Sequence, residues 1–314
     1  MPTAFITGAT GQDGSYLTEK LALEGWEVHG LVRDGDSQPD GESPLVAHAG
    51  DLTDHDGVAR LLDEIEPDHI YNLGGLSSVS ASWEQPVQAA VINGVAAVGL
   101  MEATWRLQER LGRGISFVQA SSGEIFGSPA QVPQDEETPL RPVNPYGASK
   151  ALAHLACHVY RQRGLHASSL ILYNHESPRR PGQFVTRKIS LAVAAIVAGS
   201  GGPLTLGNLD ARRDWGWAPD YVDAMWRAAN HLEPADFVIA TGQSHSVREF
   251  VAAAFAHVGI EAWEAHVRVD PAFVRPADAV ELRGDPSRAE DILGWRPAVS
   301  FTEIVARMVD HDLV

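Results

Sequence analysis

The feature that most constrains the fold is a glycine-rich loop directly after the first apolar run. Ala4-Phe5-Ile6 leads into Gly8-Ala9-Thr10-Gly11-Gln12-Asp13-Gly14, and a helical pattern follows, beginning near Ser15. Glycines between a strand and a helix let the backbone approach a pyrophosphate, whose charge then lies at the helix N-terminus. The spacing is GxxGxxG, and three glycines could equally mark a tight turn. Their position after the first strand favours dinucleotide binding.

Short apolar runs alternate with segments of helical period through the first half of the chain. Strands are predicted at 4–6, 26–32, 45–49, 69–72, 115–120 and 168–173, and helices at 16–23, 58–65, 91–107 and 145–163. This alternation predicts an α/β fold, a Rossmann-type doubly wound parallel sheet. Residues 1–176 are expected to form the dinucleotide-binding domain, with later segments around 215–242 returning to it. Residues 177–314 are expected to form mainly a smaller C-terminal substrate-binding lobe.

Charge and cysteine content narrow the function classes. The chain has 314 residues, and 41 acidic against 24 basic residues give a formal net charge of −17. This charge repels nucleic acids and anionic membranes over most of the surface, so neither is an expected partner. No apolar run approaches the roughly 20 residues that span a bilayer. The single cysteine, Cys157, lacks a disulfide partner and a zinc-like cluster, so we expect a cytoplasmic protein without a metal.

The residues at the carboxyl ends of the predicted strands indicate which cofactor binds, because a dinucleotide lies there. Arg33 ends the second strand and favours the 2′-phosphate of NADP, whereas the neighbouring Asp34 favours the ribose hydroxyl of NAD. Asp51-Leu52 follows the third strand, and Gly74-Gly75 follows the fourth. Asp51 could instead be a loop acid or the cap of the helix at 58–65.

A phenol and an ammonium are predicted on one face of a helix. Tyr146 and Lys150 lie four residues apart, and Ser121-Ser122 ends the strand that comes before them. A phenol has a pKa near 10, but a nearby lysine and an oxidised nicotinamide would both favour the phenolate. Such a phenolate can take the proton of a substrate hydroxyl during hydride transfer. The alternative is a solvated pair, which this spacing gives by chance in many helices.

The glycine loop, Ser122, Tyr146 and Lys150 together resemble the extended short-chain dehydrogenase/reductase superfamily. Glu124, close to Ser122, adds a carboxylate that simple hydride transfer does not need but an elimination does. A surface or capping glutamate is the alternative reading. Further along, the chain is similar to the GDP-mannose 4,6-dehydratase family in four blocks, which are 174–180, 184–188, 206–210 and 213–216.

The resemblance implies a role for each matching residue. The implied catalytic residues are Ser122, Glu124, Tyr146 and Lys150. The implied cofactor-binding residues are Gly8, Gly11, Gln12, Asp13, Gly14, Arg33, Asp51, Leu52, Leu73, Gly74, Ser77, Tyr146, Lys150, His175 and Arg180, and this set tips the choice towards NADP. The implied substrate-binding residues are Ser77, Asn174, Val185, Lys188, Arg213 and Arg275. Arginine forks bind diphosphate oxygens in pairs, which suits a nucleotide sugar.

The resemblance also implies the activity and the assembly. It implies conversion of GDP-mannose to GDP-4-keto-6-deoxymannose, with NADP recycled within the turnover. A reductase or epimerase on an NDP-hexose, a dehydratase on another NDP-sugar and a silent cofactor-binding scaffold are the alternatives. Leu76 and Trp217 stand where the family usually has Gln and His, which leaves room for a different sugar. A homodimer is expected, through an apolar stripe of Leu152, Leu155 and Ala156 that could instead pack on its own sheet. The acidic loop from Arg33 to Ser43 leaves a tetramer in doubt.

Overall fold

The structure is a computed structural model that describes residues 1–33, 43–271, 279 and 281–314. Its strands are β1 (Thr3–Thr7), β2 (Glu27–Val32), β3 (Leu45–Ala49), β4 (His69–Asn72), β5 (Ser116–Ala120), β6 (His166–Leu172), β7 (Asn174–Glu176), β8 (Leu204–Leu206), β9 (Arg212–Arg213), β10 (Trp215–Trp217), β11 (Asp236–Ile239), β12 (His245–Ser246), β13 (Val267–Val269) and β14 (Glu281–Leu282). Its α-helices are α1 (Gln12–Leu23), α2 (His55–Ile65), α3 (Val79–Glu84), α4 (Pro86–Ala90), α5 (Ala96–Leu111), α6 (Pro145–Gln162), α7 (Val185–Val197), α8 (Ala218–Asn230), α9 (Val247–His257), α10 (Ser287–Leu293) and α11 (Phe301–Asp312).

Seven strands form one parallel sheet in the order β11-β6-β5-β4-β1-β2-β3. One face packs on α1 and α8 through an apolar core that includes Leu17, Tyr71 and Met225. The other packs on α2, α5 and α6 through a core that includes Phe5, Leu100 and Ala153. The predicted Rossmann-type doubly wound sheet is therefore confirmed. Because the strands are parallel, their carboxyl ends, where a dinucleotide would lie, are all at the same edge of the sheet.

Two predicted local features differ in the structure. Helix α1 begins at Gln12 and not near Ser15, because Gly11 takes the extended N-cap conformation directly after the loop. Helix α2 is capped by Asp54, whose side chain accepts a hydrogen bond from the Gly57 amide, so the capping role considered for Asp51 is wrong.

The later chain builds a smaller body from short strand pairs and helices. β7 pairs with β10, β9 lies between β12 and β14, and β8 pairs with β13. Helices α7, α9 and α11 pack on one another around a core that includes Val193, Trp215, Phe250 and Met308. From the same half of the chain, β11 joins the large sheet and α8 covers it. The boundary at residue 176 remains a prediction.

One continuous helical stretch, Pro86–Leu111, is long and apolar enough to cross a membrane by length and composition. On that criterion, the expectation that no segment reaches this length is wrong. The stretch includes α4, a π-helix at Val91–Val95 and α5, and 44% of its most apolar window is buried in the protein. Helix α5 packs against α2 and α6 on the sheet, as a core helix does.

Candidate active site

The glycine loop has the close backbone packing that a phosphate cradle requires. Gly8 has a φ of +71°, and a Cβ built on it would lie 2.8 Å from the Gly74 amide nitrogen. A Cβ on Gly14 would lie 2.2 Å from the Gly8 carbonyl oxygen. Gly11 is the N-cap of α1 and has no side chain to bond the first-turn amides. The residues present therefore fit a dinucleotide pyrophosphate.

Side chains from β7 hold this loop in place. The Gln12 amide donates to the His175 carbonyl at 3.1 Å and accepts from the Ser177 hydroxyl at 2.8 Å. His175 Nε2 lies 2.8 Å from Asp13 Oδ2, and its Nδ1 lies 2.8 Å from the Tyr173 carbonyl. Burial opposes both charges, but the attraction between them still lowers the pKa of Asp13 and raises the pKa of His175. Both nitrogens of His175 are thus occupied in shaping the loop.

The other predicted cofactor residues follow neighbouring strands at the same sheet edge. Arg33 directly follows β2, Asp51 and Leu52 follow β3, and Leu73 and Gly74 follow β4. The Gly74 amide donates to the Thr7 hydroxyl at 3.0 Å, which ties β4 to the loop after β1. Hydrogen bonds from Thr53, together with the charge of Arg33, lower the pKa of Asp51. Asp34 lies outside the described residues.

Tyr146 and Lys150 lie in α6, facing Ser122 at the end of β5. Ser122 and Lys150 are buried, and the Ser122 hydroxyl lies close enough to the Tyr146 phenol to lower the pKa of that phenol. Lys150 Nζ lies 5.9 Å from the Tyr146 ring centroid and donates to the Ala120 carbonyl at 2.9 Å. The structure therefore brings the predicted Ser, Tyr and Lys together.

Burial shifts the pKa values of both Tyr146 and Lys150. Burial raises the pKa of Tyr146 to about 12, although Ser122 and the charge of Arg180 lower it. Burial lowers the pKa of Lys150 to about 8. The protein alone therefore favours the neutral phenol. Positive charge brought next to the phenol would favour its ionisation.

Glu124 reaches the same place from a short 3₁₀ turn, Gly123–Phe126, that follows Ser122. Its Oε2 accepts a hydrogen bond of 2.8 Å from the Asn144 side chain. The turn that carries Glu124 packs on the first turn of α6, which carries Tyr146, and the charge of Glu124 raises the pKa of the phenol. One carboxylate and one phenol thus face the same region, as an acid–base pair for two neighbouring carbons would.

Two asparagines support the site and were missed from the sequence. Asn144 caps α6 and bonds to Glu124, and the Asn-Pro pair at a predicted helix start was the available signal. The side chain of Asn93, in the π-helix, accepts a hydrogen bond from the Leu76 amide. It donates to the Leu76 carbonyl and to the Ser149 hydroxyl. π-bulges within helices often occur at functional sites, but an apolar periodicity does not reveal them.

Three of the predicted ligand-binding cations come from the later part of the chain. Arg180 lies over the Phe184 ring at 3.9 Å, with Nε 3.3 Å from the buried Glu176 carboxylate. Lys188 donates to the Thr205 carbonyl at 2.7 Å and lines a cavity of about 340 Å³. Arg213 is buried in β9 and donates to the Ala279 carbonyl at 3.0 Å.

The remaining predicted substrate residues are spread around this region. Asn174 begins β7, Val185 begins α7, and Ser77 is exposed in the loop after β4. Arg275 lies outside the described residues. Among the described residues, no group of three or more His, Cys, Asp or Glu side chains could hold a metal ion.

Comparison with known proteins identifies the family. A family model described as GDP-mannose 4,6 dehydratase matches residues 5–308. The chain belongs to the GDP-mannose 4,6-dehydratase family. It is 44% identical to GDP-mannose 4,6 dehydratase 1 of Arabidopsis thaliana, over 99% of this chain and 89% of that protein. It is 41% identical to GDP-mannose 4,6-dehydratase of Yersinia enterocolitica, over 100% of this chain and 94% of that protein.

A solved structure of an enzyme named for a different reaction has the same fold. It is UDP-glucose 4-epimerase of Thermus thermophilus in complex with NAD, at 30% identity and a TM-score of 0.86. The alignment covers 99% of this chain and 98% of the epimerase. The family match includes every candidate catalytic residue, from Ser122 to Lys150.

Proposed function

We propose that this protein is a GDP-mannose 4,6-dehydratase that converts GDP-mannose to GDP-4-keto-6-deoxymannose. The observation that carries the proposal is the placement of Glu124 beside the Ser122-Tyr146-Lys150 group, at the sheet edge next to the glycine loop. Hydride transfer at C4 needs the phenol alone, whereas removal of water across C5 and C6 also needs the carboxylate.

The first step requires loss of the O4 proton of the mannose ring. Tyr146 takes this proton, and the Ser122 hydroxyl orients the phenol and the sugar oxygen. When bound, NADP supplies the hydride acceptor for C4 and the hydride donor for C6, together with the positive charge of its oxidised ring. Lys150 is buried below the phenol, and its bond to the Ala120 carbonyl ties α6 to the end of β5.

The second step depends on the ketone now present at C4, which acidifies the hydrogen on C5. Glu124 removes this proton, the C6 hydroxyl leaves, and the same carboxyl group gives the proton that turns the hydroxyl into water. A hydride then adds at C6, and the proton that Tyr146 took from O4 adds at C5, so the sugar loses one water with no net change in the cofactor's oxidation state.

We propose NADP as the cofactor. The proposal is supported by Arg33, an exposed cation at the carboxyl end of β2, where a 2′-phosphate would lie. Gly8, Gly11 and Gly14 would hold the pyrophosphate, and His175 would act through Asp13 and Gln12 by fixing the loop.

The proposed GDP-mannose site lies between the sheet edge and the smaller body. Lys188 and Arg213 would supply positive charge for the nucleoside diphosphate. Arg180 lies close enough to Tyr146 for its charge to lower the pKa of the phenol. Asn174, Val185, Ser77 and Arg275 complete the proposed set, the last from outside the described residues.

The reaction is tested by mass. Purified protein incubated with GDP-mannose and NADP should give a product lighter by one water, without stoichiometric use of the cofactor, and the same assay with NAD should be slower. A product of unchanged mass would indicate an epimerase instead, and consumption of reduced cofactor would indicate a reductase. A small panel of other NDP-hexoses in the same assay reports the sugar preference left open by Leu76 and Trp217.

We also propose that the protein forms a homodimer through α6. Leu152, Leu155 and Val159 are 44%, 54% and 55% exposed on α6, whereas Ala156 is buried. The alternative that the whole stripe packs on its own sheet is therefore wrong for the two leucines. Light scattering should give twice the chain mass, and a monomer would contradict the proposal.

We propose a cytoplasmic location for the protein. The buried free thiol of Cys157 fits a reducing compartment.

A further inference from the structure

The side chain of Asn144 connects two parts of the site at once. Its Oδ1 accepts a hydrogen bond of 2.7 Å from the Gly147 amide, which caps α6. Its Nδ2 donates to Glu124 Oε2 at 2.8 Å. Because the amide oxygen can only accept and the amide nitrogen can only donate, a single orientation of the side chain satisfies both bonds. Asn144 is 5% exposed, so this orientation is also enclosed by the protein.

Backbone contacts make the connection rigid. Gly147 packs so closely on the 3₁₀ turn that a Cβ there would lie 2.4 Å from the Glu124 carbonyl oxygen. The Arg141 amide also donates to the Ile125 carbonyl at 3.0 Å, just before α6 begins. Pro145 starts the helix, and its fixed φ suits that position. The first turn of α6, which carries Tyr146, and the turn that carries Glu124 therefore move as one unit.

The proposed elimination requires this kind of support. Glu124 must take a proton from C5 and then give one to the hydroxyl that leaves C6. Its Oε1 therefore has to stay at a fixed distance from both C5 and C6. A neutral donor on Oε2 fixes the carboxylate without neutralising it, and it leaves Oε1 for the substrate. Misplacing a reacting group by about 1 Å can cost about 10²-fold in rate.

We propose that Asn144 is the positioning residue of the acid–base carboxylate: it holds Glu124 by Oε2, in register with Tyr146, for the elimination step. This inference rests on the proposed dehydratase function. It assigns to Asn144 an effect on water loss that is separate from its effect on the helix.

The substitution Asn144→Asp separates the two roles. Aspartate caps helices as well as asparagine does, so α6 and Tyr146 should stay in place. It replaces the donor with a second carboxylate, which repels Glu124. We expect water loss to slow by about 10²-fold, while KM for GDP-mannose stays within about twofold and the first hydride transfer remains fast. The absorbance of reduced nicotinamide should therefore build up in a single turnover, which a merely structural role would not produce.

Asn230→Asp is the matched control. The Asn230 amide also donates to an oxygen, that of Trp226 at 2.8 Å, but the residue is exposed at the end of α8. This variant should behave like the unaltered protein. Asn144→Ala, which removes both bonds, should lower thermal stability as well as the rate of water loss.

Three outcomes would overturn the inference. Full water loss by Asn144→Asp would leave Asn144 as a helix cap alone. An equal loss of hydride transfer and elimination would show that the variant displaces α6 as a whole. Failure of the unaltered protein to remove water from GDP-mannose would refute the proposed function itself, and the starting assay with that protein separates this result from the other two.

Discussion

Replacing Tyr146 with phenylalanine is expected to slow the conversion of GDP-mannose by about 10³-fold, within the range that removal of a general acid–base group usually gives. The phenol is the group that Ser122 and Arg180 bias towards ionisation, against burial and the charge of Glu124. Phenylalanine keeps the ring and its packing but has no oxygen to take the O4 proton. Both the C4 hydride transfer and the later water loss should therefore fall together, because the second step needs the ketone made by the first.

The matched control for this variant is Tyr160→Phe on the same helix. The Tyr160 hydroxyl donates to Glu102 at 2.8 Å, on the face of α6 that meets α5. Its loss should leave turnover within about twofold, because this hydrogen bond joins α6 to α5 and contacts none of the proposed catalytic residues. Turnover and the rate at which reduced nicotinamide forms are measured side by side. Equal rates for Tyr146→Phe and the unaltered protein would contradict the role of the phenol.

The elements around the cofactor could be predicted from sequence because their signals are local. β1 and the glycine loop lie next to each other in the chain, and the apolar runs of the large sheet end where the structure ends them, within two residues. Strands buried on both faces read as continuous apolar runs, which composition reveals directly. The end of each strand then places Arg33, Asp51 and Gly74 at one edge without further information.

Contacts between distant side chains could not be predicted in this way. The Asp13–His175 pair joins residues 162 positions apart, and the Asn144–Glu124 bond joins residues 20 apart. No periodicity records such pairs, because each depends on how two elements dock. The same holds for Lys150, whose partner is the Ala120 carbonyl and not the phenol.

The smaller body shows a second limit. Its strands, such as β9 with two residues and β8 with three, are too short to give an alternating pattern. Arg213 is nevertheless fixed, because the next residue, Asp214, accepts hydrogen bonds from Thr241, Gly242 and Gly284. Burial raises the pKa of Asp214 to about 6 against these bonds. Tertiary hydrogen bonds, and not propensity, hold this arginine.

Replacing Glu124 with glutamine is expected to stop the reaction one step later than the Tyr146 variant does. Glutamine has the same shape, and its side-chain oxygen can still accept the hydrogen bond from Asn144, so the turn after β5 should be preserved. It cannot take the C5 proton. Oxidation at C4 should continue, while water loss falls by about 10²- to 10⁴-fold. Reduced nicotinamide and a 4-keto sugar that keeps its C6 hydroxyl should accumulate together.

This accumulation distinguishes an elimination base from a capping or surface glutamate. Glu137→Gln is the control, because Glu137 is an exposed glutamate that pairs with Arg288 at 2.9 Å. It should leave both steps unchanged. Binding of NADP, measured by titration, should be the same in the two variants and the unaltered protein, since the glycine loop is held by β7 and not by the turn that carries Glu124. Full water loss by Glu124→Gln would remove the carboxylate from the mechanism and assign the C5 proton and the leaving hydroxyl to another group.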